Sequence, residues 1–219
     1  MLRPLDSGLL VVIEGIDGSG KSTLTRQLAE KLEHAGDCVV LSREPTQGPY
    51  GRRLRDSATT GRLPPTEELE LFVADRREHV EGLILPSLKE GKLVILDRYY
   101  FSTAAYQGAR GLDWRRILDE NEQFAPDPDL TIFLDLSVEE SLKRVCERGD
   151  FANSFEQAEA LERVRAIYHS LLARRPGTVW FDARELAGRV LERAFRVVVE
   201  VRSGRAPRNC ALTGATEKN

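Results

Sequence analysis

An α/β architecture, a five-stranded parallel sheet with helices on both faces, is what this sequence predicts, and three observations predict it. Five short apolar or β-rich runs alternate with stretches of helical period, the pattern of a parallel sheet whose crossovers are helices. The first run, LLVVIE, passes straight into GIDGSGKS and then into TLTRQLAEKLE, so strand, glycine-rich turn and helix follow without a break. Charged side chains fall where the runs end, at Glu14, Arg43, Asp97 and Asp135, and open α/β sheets bind ligands beyond the carboxyl ends of their strands.

Taken in chain order, residues 9–14 form the first strand and residues 22–35 the first helix, with leucines recurring every fourth position. Residues 38–42, 93–97, 130–135 and 178–181 supply the other strands. Helical patterns fill the intervals at 67–90, 114–124, 138–148, 155–174 and 186–201. One domain over residues 1–201 accounts for all of them. Beyond it, RSGRAPRNCALTGATEKN loses periodicity and turns small and polar, which predicts a disordered tail over residues 202–219.

Composition narrows the function. With 41% hydrophobic residues among 219, the chain can fill a real core. Its 32 basic and 35 acidic side chains leave a formal charge of -3, so no global basic field recruits nucleic acid or an anionic membrane. Cys38, Cys146 and Cys210 are odd in number and have no metal-ligand spacing, which points to a reduced compartment and not to a disulfide framework. MLRPLDSG has no apolar signal-like segment and no apolar run is long enough for a bilayer, so the expected place is the cytoplasm.

Residues 15–22 carry the chemistry. A lysine in the first turn of a helix faces the positive end of the dipole, so Lys21 requires an anion. Glycines let backbone N–H groups converge on it, and G-x-x-x-x-G-K-[ST] between a strand and a helix is the Walker A phosphate cradle. LVILDR then puts Asp97 at the end of a buried strand, from which P-loop proteins manage Mg²⁺ with the cradle hydroxyl, here Ser22. Neither a guanine-reading N-K-x-D nor a residue that positions water is evident, which favours transfer to a bound acceptor over hydrolysis. An anionic acceptor calls for arginines, and Arg43, Arg76 and Arg98 stand near strand ends or on a helix.

From about residue 9 to residue 200 the chain resembles the thymidylate kinases. Beyond the P-loop, the matching pieces are REP at 43–45, LFVADR at 71–76, DRYYFSTAAYQG at 97–108 and PDLTIFLD at 128–135. The resemblance implies the P-loop nucleoside monophosphate kinase fold, a homodimer, and conversion of dTMP to dTDP with ATP and Mg²⁺. It places ATP on Gly15, Ile16, Asp17, Gly18, Ser19, Gly20, Lys21, Ser22 and Thr23, with Lys21, Asp17 and Arg98 catalytic. It implies further that Phe72 stacks on thymine, Arg76 bonds a thymine edge, Arg43 and Arg98 hold the acceptor phosphate, and Thr103 and Tyr106 border the base and deoxyribose. Asp17 and Asp97 would order phosphate and metal.

One departure stands out. Thymidylate kinases whose P-loop lacks an arginine, as here with Gly18, carry arginines in a small lid, yet the lid at about residues 145–157 has none at the expected place. Arg144 and Arg148 are the candidates to neutralise the transferred phosphoryl group. The alternatives are another deoxynucleotide or nucleoside kinase, or a nucleotide-binding regulator without turnover.

Overall fold

The computed structural model describes residues 8–147 and 154–204. Five strands form one parallel sheet: β1 (Leu9–Glu14), β2 (Val39–Arg43), β3 (Leu93–Asp97), β4 (Leu130–Asp135) and β5 (Thr178–Asp182), in the order β2-β3-β1-β4-β5. β1 is central, with Ile13 opposite Asp97 of β3 on one side and Ile132 of β4 on the other. Consecutive residues of β1, β3 and β4 are buried, and because successive side chains point to opposite faces, both faces of the sheet are covered. The edge strand β2 is only partly buried.

The helices are α1 (Lys21–His34), α2 (Pro49–Thr60), α3 (Pro65–His79), α4 (Leu85–Lys89), α5 (Tyr100–Ala109), α6 (Trp114–Glu122), α7 (Val138–Glu147), α8 (Ser154–Leu172) and α9 (Ala187–Arg202). α1 packs against α9, and α5 against α6 and α8. In α1 the buried stripe is Leu24, Leu28 and Leu32, three leucines four apart on one face.

Two of these helices have no counterpart in the sequence reading, and a third is divided. α2 buries little beyond Gly51, Leu54 and Ser57, so it has no apolar stripe to announce it. α5 has the opposite character: Tyr100 through Ala105 are all buried, so no polar face sets off a helical period. The helix expected over residues 67–90 is α3, then a π turn at Val80–Ile84, then α4. Pro86 has no N–H for the carbonyl of Gly82, and the Leu85 N–H reaches back five residues to Val80, which widens the turn.

Leu28 is fully buried beneath the sheet, and its replacement leaves a cavity. Leu28→Ala is expected to lower the unfolding free energy by about 3 kcal/mol. Urea denaturation checks this as a lower midpoint with an unchanged slope.

Candidate active site

The amino end of α1 is built without a cap of its own. Gly20 stands at the N-cap in the left-handed conformation, no side chain accepts from the first N–H groups, and no acidic residue occupies the first turn. Gly15, Gly18 and Gly20 all have positive φ, as a cradle of converging amides demands. At Gly18 even a methyl group is excluded, because a Cβ would lie 2.8 Å from the carbonyl oxygen of Ser141. That close approach, reinforced by a 2.5 Å bond from Ser141 Oγ to the Asp17 carbonyl, fixes the loop against α7.

Lys21 is buried, and its ammonium donates to the Ile16 carbonyl at 2.8 Å, folded back over the loop. Burial, helped by the nearby Arg98 charge, lowers its pKa to about 8 against the pull of Asp17 and Asp97. A lysine so destabilised as a cation is set to receive an anion. Ser22 Oγ donates to Asp97 Oδ2 at 2.5 Å, joining the cradle to the end of β3.

The other oxygen of Asp97, Oδ1, is buried and has no hydrogen-bond partner among the described residues. An orphaned carboxylate oxygen beside a hydroxyl is a hard-oxygen donor set suited to Mg²⁺, which binds through one or two carboxylates while keeping waters and phosphate oxygens. Among the described residues no cluster of three or more His, Cys, Asp or Glu side chains could hold a metal ion by itself.

Arg98 follows Asp97 with φ of 71°, a left-handed conformation that a non-glycine residue adopts at a cost of order 1 to 3 kcal/mol. Its backbone N–H bonds the Ile13 carbonyl at 3.0 Å, which holds the strained residue at the mouth of the sheet. Its guanidinium donates to Ser102 Oγ at 3.1 Å, pairs with Asp17, and lies 5.1 Å from the centre of the Tyr106 ring. Tyr106 in turn donates to Asp17 Oδ2 at 3.1 Å. Desolvation raises the Asp17 pKa, but the Arg98 and Lys21 charges outweigh it and hold the carboxyl below its usual range.

Two cavities meet at Arg98. The first, about 300 Å³, is lined by Asp17, Gly18, Lys21, Ser22, Arg43, Arg55, Asp97 and Arg98, so three arginines and a lysine share it. Arg43 is exposed at the end of β2, and its side chain has no hydrogen bond or ion pair among the described residues. The second, about 120 Å³, is lined by Phe72, Arg76, Arg98, Tyr99, Thr103, Tyr106 and Gln107. Phe72 and Arg76, four apart on α3, share this cavity as the sequence expects.

Arg76 is fully buried and almost fully engaged. Its Nε and Nη2 donate to Glu44 Oε2 at 2.8 and 2.6 Å, Nη1 to Asn121 Oδ1 at 2.6 Å, and Nη2 also to Thr103 Oγ1 at 2.9 Å. Glu44 also faces His79 at 3.0 Å; burial opposes its charge, but Arg76 and His79 keep the carboxyl below its ordinary pKa. A rigid, hydrogen-bonded Arg76–Glu44 ion pair therefore backs the second cavity.

A third cavity, about 340 Å³, lies on the far side of the P-loop, lined by Ser19, Gly20, Thr23, Gln27, Arg144, Arg184 and Leu186 among others. Arg144 spans it, donating to the Gly18 carbonyl at 3.4 Å and the Ala183 carbonyl at 3.0 Å. Arg148, its sequence-level partner, lies outside the described residues, as do residues 148–153 of the expected lid and 205–219 of the expected tail.

Sequence reasoning missed Arg55, Glu44, Asn121 and Gln107. Arg55 is one arginine of a run containing Arg52 and Arg53, and nothing in that run marks which one turns inward. In the structure it donates to the carbonyls of Pro45 at 3.0 Å and Thr46 at 2.6 Å and lines the phosphate cavity. Glu44 sits inside the REP motif, which was a signal.

The family model described as thymidylate kinase matches residues 13–193. The chain is 54% identical over 192 residues to a thymidylate kinase of Xanthomonas campestris pv. campestris (strain B100), covering 88% of this chain and 83% of that one. It is 50% identical over 198 residues to that of Xanthomonas euvesicatoria pv. vesicatoria (strain 85-10), covering 90% and 85%. With that of Xylella fastidiosa (strain M12) it shares 48% over 194 residues, covering 89% and 88%. The expected resemblance is thus borne out over most of the chain, and the chain belongs to the thymidylate kinase family.

Proposed function

We propose that this chain transfers the γ-phosphoryl group of ATP to the phosphate of dTMP, giving dTDP and ADP, with Mg²⁺, as a cytoplasmic homodimer. The observation that carries the reading is the meeting of a cavity lined by Lys21, Arg43, Arg55 and Arg98 with an aromatic-lined cavity, Arg98 lining both. A nucleoside monophosphate fits that pairing: base against Phe72, deoxyribose by Tyr106, phosphate between Arg43, Arg55 and Arg98. Homodimer assembly and cytoplasmic residence rest on the family resemblance; among the described residues no helix is long and apolar enough to cross a membrane.

The acceptor phosphate is already ionised, so no general base is needed, and catalysis is positioning plus neutralisation of charge. Backbone amides of residues 15–22 and the Lys21 ammonium hold the donor phosphates. Ser22 and Asp97 would hold Mg²⁺, which would supply positive charge to neutralise that on the transferred phosphoryl group. Arg43 and Arg98 fix the acceptor oxygen in line. The third cavity takes the donor base, with Arg144 at its edge and a lid over about residues 145–157 as the source of Arg148.

Release of ADP measured with dTMP, dUMP, dCMP and thymidine in turn tests the assignment. Turnover selective for dTMP is expected; equal rates with dCMP, or ATP binding without dTMP-dependent ADP release, would sink it. Phe72→Ala should raise KM for dTMP by about 1 to 3 kcal/mol of lost stacking while leaving KM for ATP unchanged.

Lys21 holds phosphate only as the ammonium, and its pKa is lowered, so its contribution is complete at low pH and lost as pH rises through about 8. kcat/KM for ATP should therefore fall across that range, whereas the limb in kcat should lie at higher pH because bound phosphates restore the proton. A flat kcat/KM profile between pH 7 and 9 would refute this.

Arg144→Ala and Arg148→Ala should lower kcat and kcat/KM together, by about tenfold or about 1.4 kcal/mol for the more important arginine, with dTMP binding little changed. The assignment is falsified if both single variants and the double variant keep kcat within about twofold.

A further inference from the structure

Behind the P-loop, where Ser102 lines the aromatic cavity, three side-chain oxygens form a triangle. Ser102 Oγ lies 2.6 Å from Glu14 Oε2, Tyr168 Oη 2.8 Å from the same oxygen, and Ser102 Oγ 2.7 Å from Tyr168 Oη. Glu14 and Tyr168 are fully buried and Ser102 nearly so. The other carboxyl oxygen, Glu14 Oε1, accepts the backbone N–H of Tyr99 at 2.8 Å and of Ser102 at 3.3 Å. Arg98 Nη1 donates to Ser102 Oγ at 3.1 Å.

The protons of this triangle can be counted. Two oxygens at 2.6 to 2.8 Å attract one another only with a hydrogen between them. The triangle has three edges, and the Ser102 and Tyr168 hydroxyls bring one proton each. With Glu14 ionised, one edge is two sets of lone pairs opposed among buried side chains. With Glu14 protonated, each oxygen donates once and accepts once around a closed ring. Oε1 already accepts two amides, so it is the carbonyl oxygen and Oε2 carries the proton.

Electrostatics agree with this count. Burial pushes the Glu14 carboxyl up, opposed by the hydrogen bond from Ser102, the Arg98 charge and the Tyr168 and Tyr99 donors. Burial also pushes the Tyr168 hydroxyl well up, so it keeps its proton. The charged or titratable groups that face Glu14 are Arg98 from the turn after β3, Tyr168 from α8 and Lys21 from α1. Of these, Arg98 already has a carboxylate of its own in Asp17.

We propose that Glu14 is a positioning residue held as the neutral acid, closing a proton ring with Ser102 and Tyr168 that aims Arg98 and leaves its charge to the acceptor phosphate. This rests on the reading of Arg98 as an acceptor-phosphate arginine. An ionised Glu14 would be a second carboxylate competing for that guanidinium and would weaken its hold on substrate. The neutral ring instead supplies a rigid dipolar bracket: Ser102 holds one edge of Arg98, while Asp17 and Tyr106 hold the other. The Nε–H and one Nη1–H have no protein partner among the described residues and remain for phosphate. Because Tyr168 belongs to α8, the ring also ties the helix that follows the proposed lid to the arginine that grips the acceptor.

Two measurements test the ring. The first is infrared difference spectroscopy of the full-length chain against Glu14→Gln, without nucleotide, from pH 6 to 8. A protonated-carboxyl stretch that is lost in the variant is expected throughout; its absence at pH 7 overturns the proposal. The second is rescue: Glu14→Ala should lower kcat/KM for dTMP tenfold or more, and Glu14→Gln, which keeps a carbonyl acceptor and a neutral donor, should recover most of that loss. A Glu14→Gln protein that is folded by circular dichroism but no better than Glu14→Ala also overturns it. Should Glu14→Ala fail to fold, Tyr168→Phe takes its place, with a fivefold or greater rise in KM for dTMP and an unchanged KM for ATP expected; equal changes in both overturn it. The stretch present in a protein that releases no ADP with dTMP would refute the functional reading alone, whereas turnover of dTMP without the stretch would refute the ring alone.

Discussion

The uncapped amino end of α1 is the constraint on which the site depends. Its first N–H groups have no side-chain acceptor, Lys21 stands among them with a lowered pKa, and three glycines hold the preceding loop open. Such an arrangement is unfavourable by itself and is relieved by phosphate, since dipole, amides and ammonium all favour an anion there. Everything else at the mouth of the sheet answers the same demand. Asp97 is tied to the cradle through Ser22, and Arg43, Arg55 and Arg98 line the same cavity as Lys21.

The acceptor side follows a different logic, that of spent donors. Arg76 has given nearly all its N–H groups to Glu44, Asn121 and Thr103, so it acts as a fixed wall, not a mobile hand. Ordering a long side chain costs up to about 2 kcal/mol, and here that cost is met in folding, before substrate arrives. Arg43 differs, its side chain being exposed and without such tethers among the described residues.

What the sequence revealed, and what it hid, divides along physical lines. Residues 15–22 were legible because a phosphate cradle needs a fixed backbone spacing, and the strands because burial on both faces leaves near-continuous apolar runs. α2 and α5 were not, one having too little apolar surface and the other too little polar surface to show a period. Arg55 acquires its role only through packing: a Cβ on Gly51 would lie 2.0 Å from the Thr46 carbonyl, so glycine alone lets α2 approach and turn that arginine inward. Glu14, Ser102 and Tyr168 are 88 and 66 positions apart, and no local pattern joins them. Phe72, Arg76, Thr103 and Tyr106, by contrast, were expected together and lie around one cavity.

The central place of β1 has a consequence for how the protein lives with its ligands. β1 pairs with β3 and β4, strands that lie far along the chain, and the P-loop begins where β1 ends. No fragment containing residues 15–22 can present Asp97 or Arg98 beside them until those long-range pairings form. The unfolded chain therefore has no version of the site, and each nucleotide binds only the folded state. Every bound nucleotide then adds to global stability by mass action, about 2.7 kcal/mol at a hundred times its dissociation constant. That is a sizeable share of the 5 to 15 kcal/mol typical of a domain, so the persistence of this chain is coupled to the supply of the nucleotides it handles.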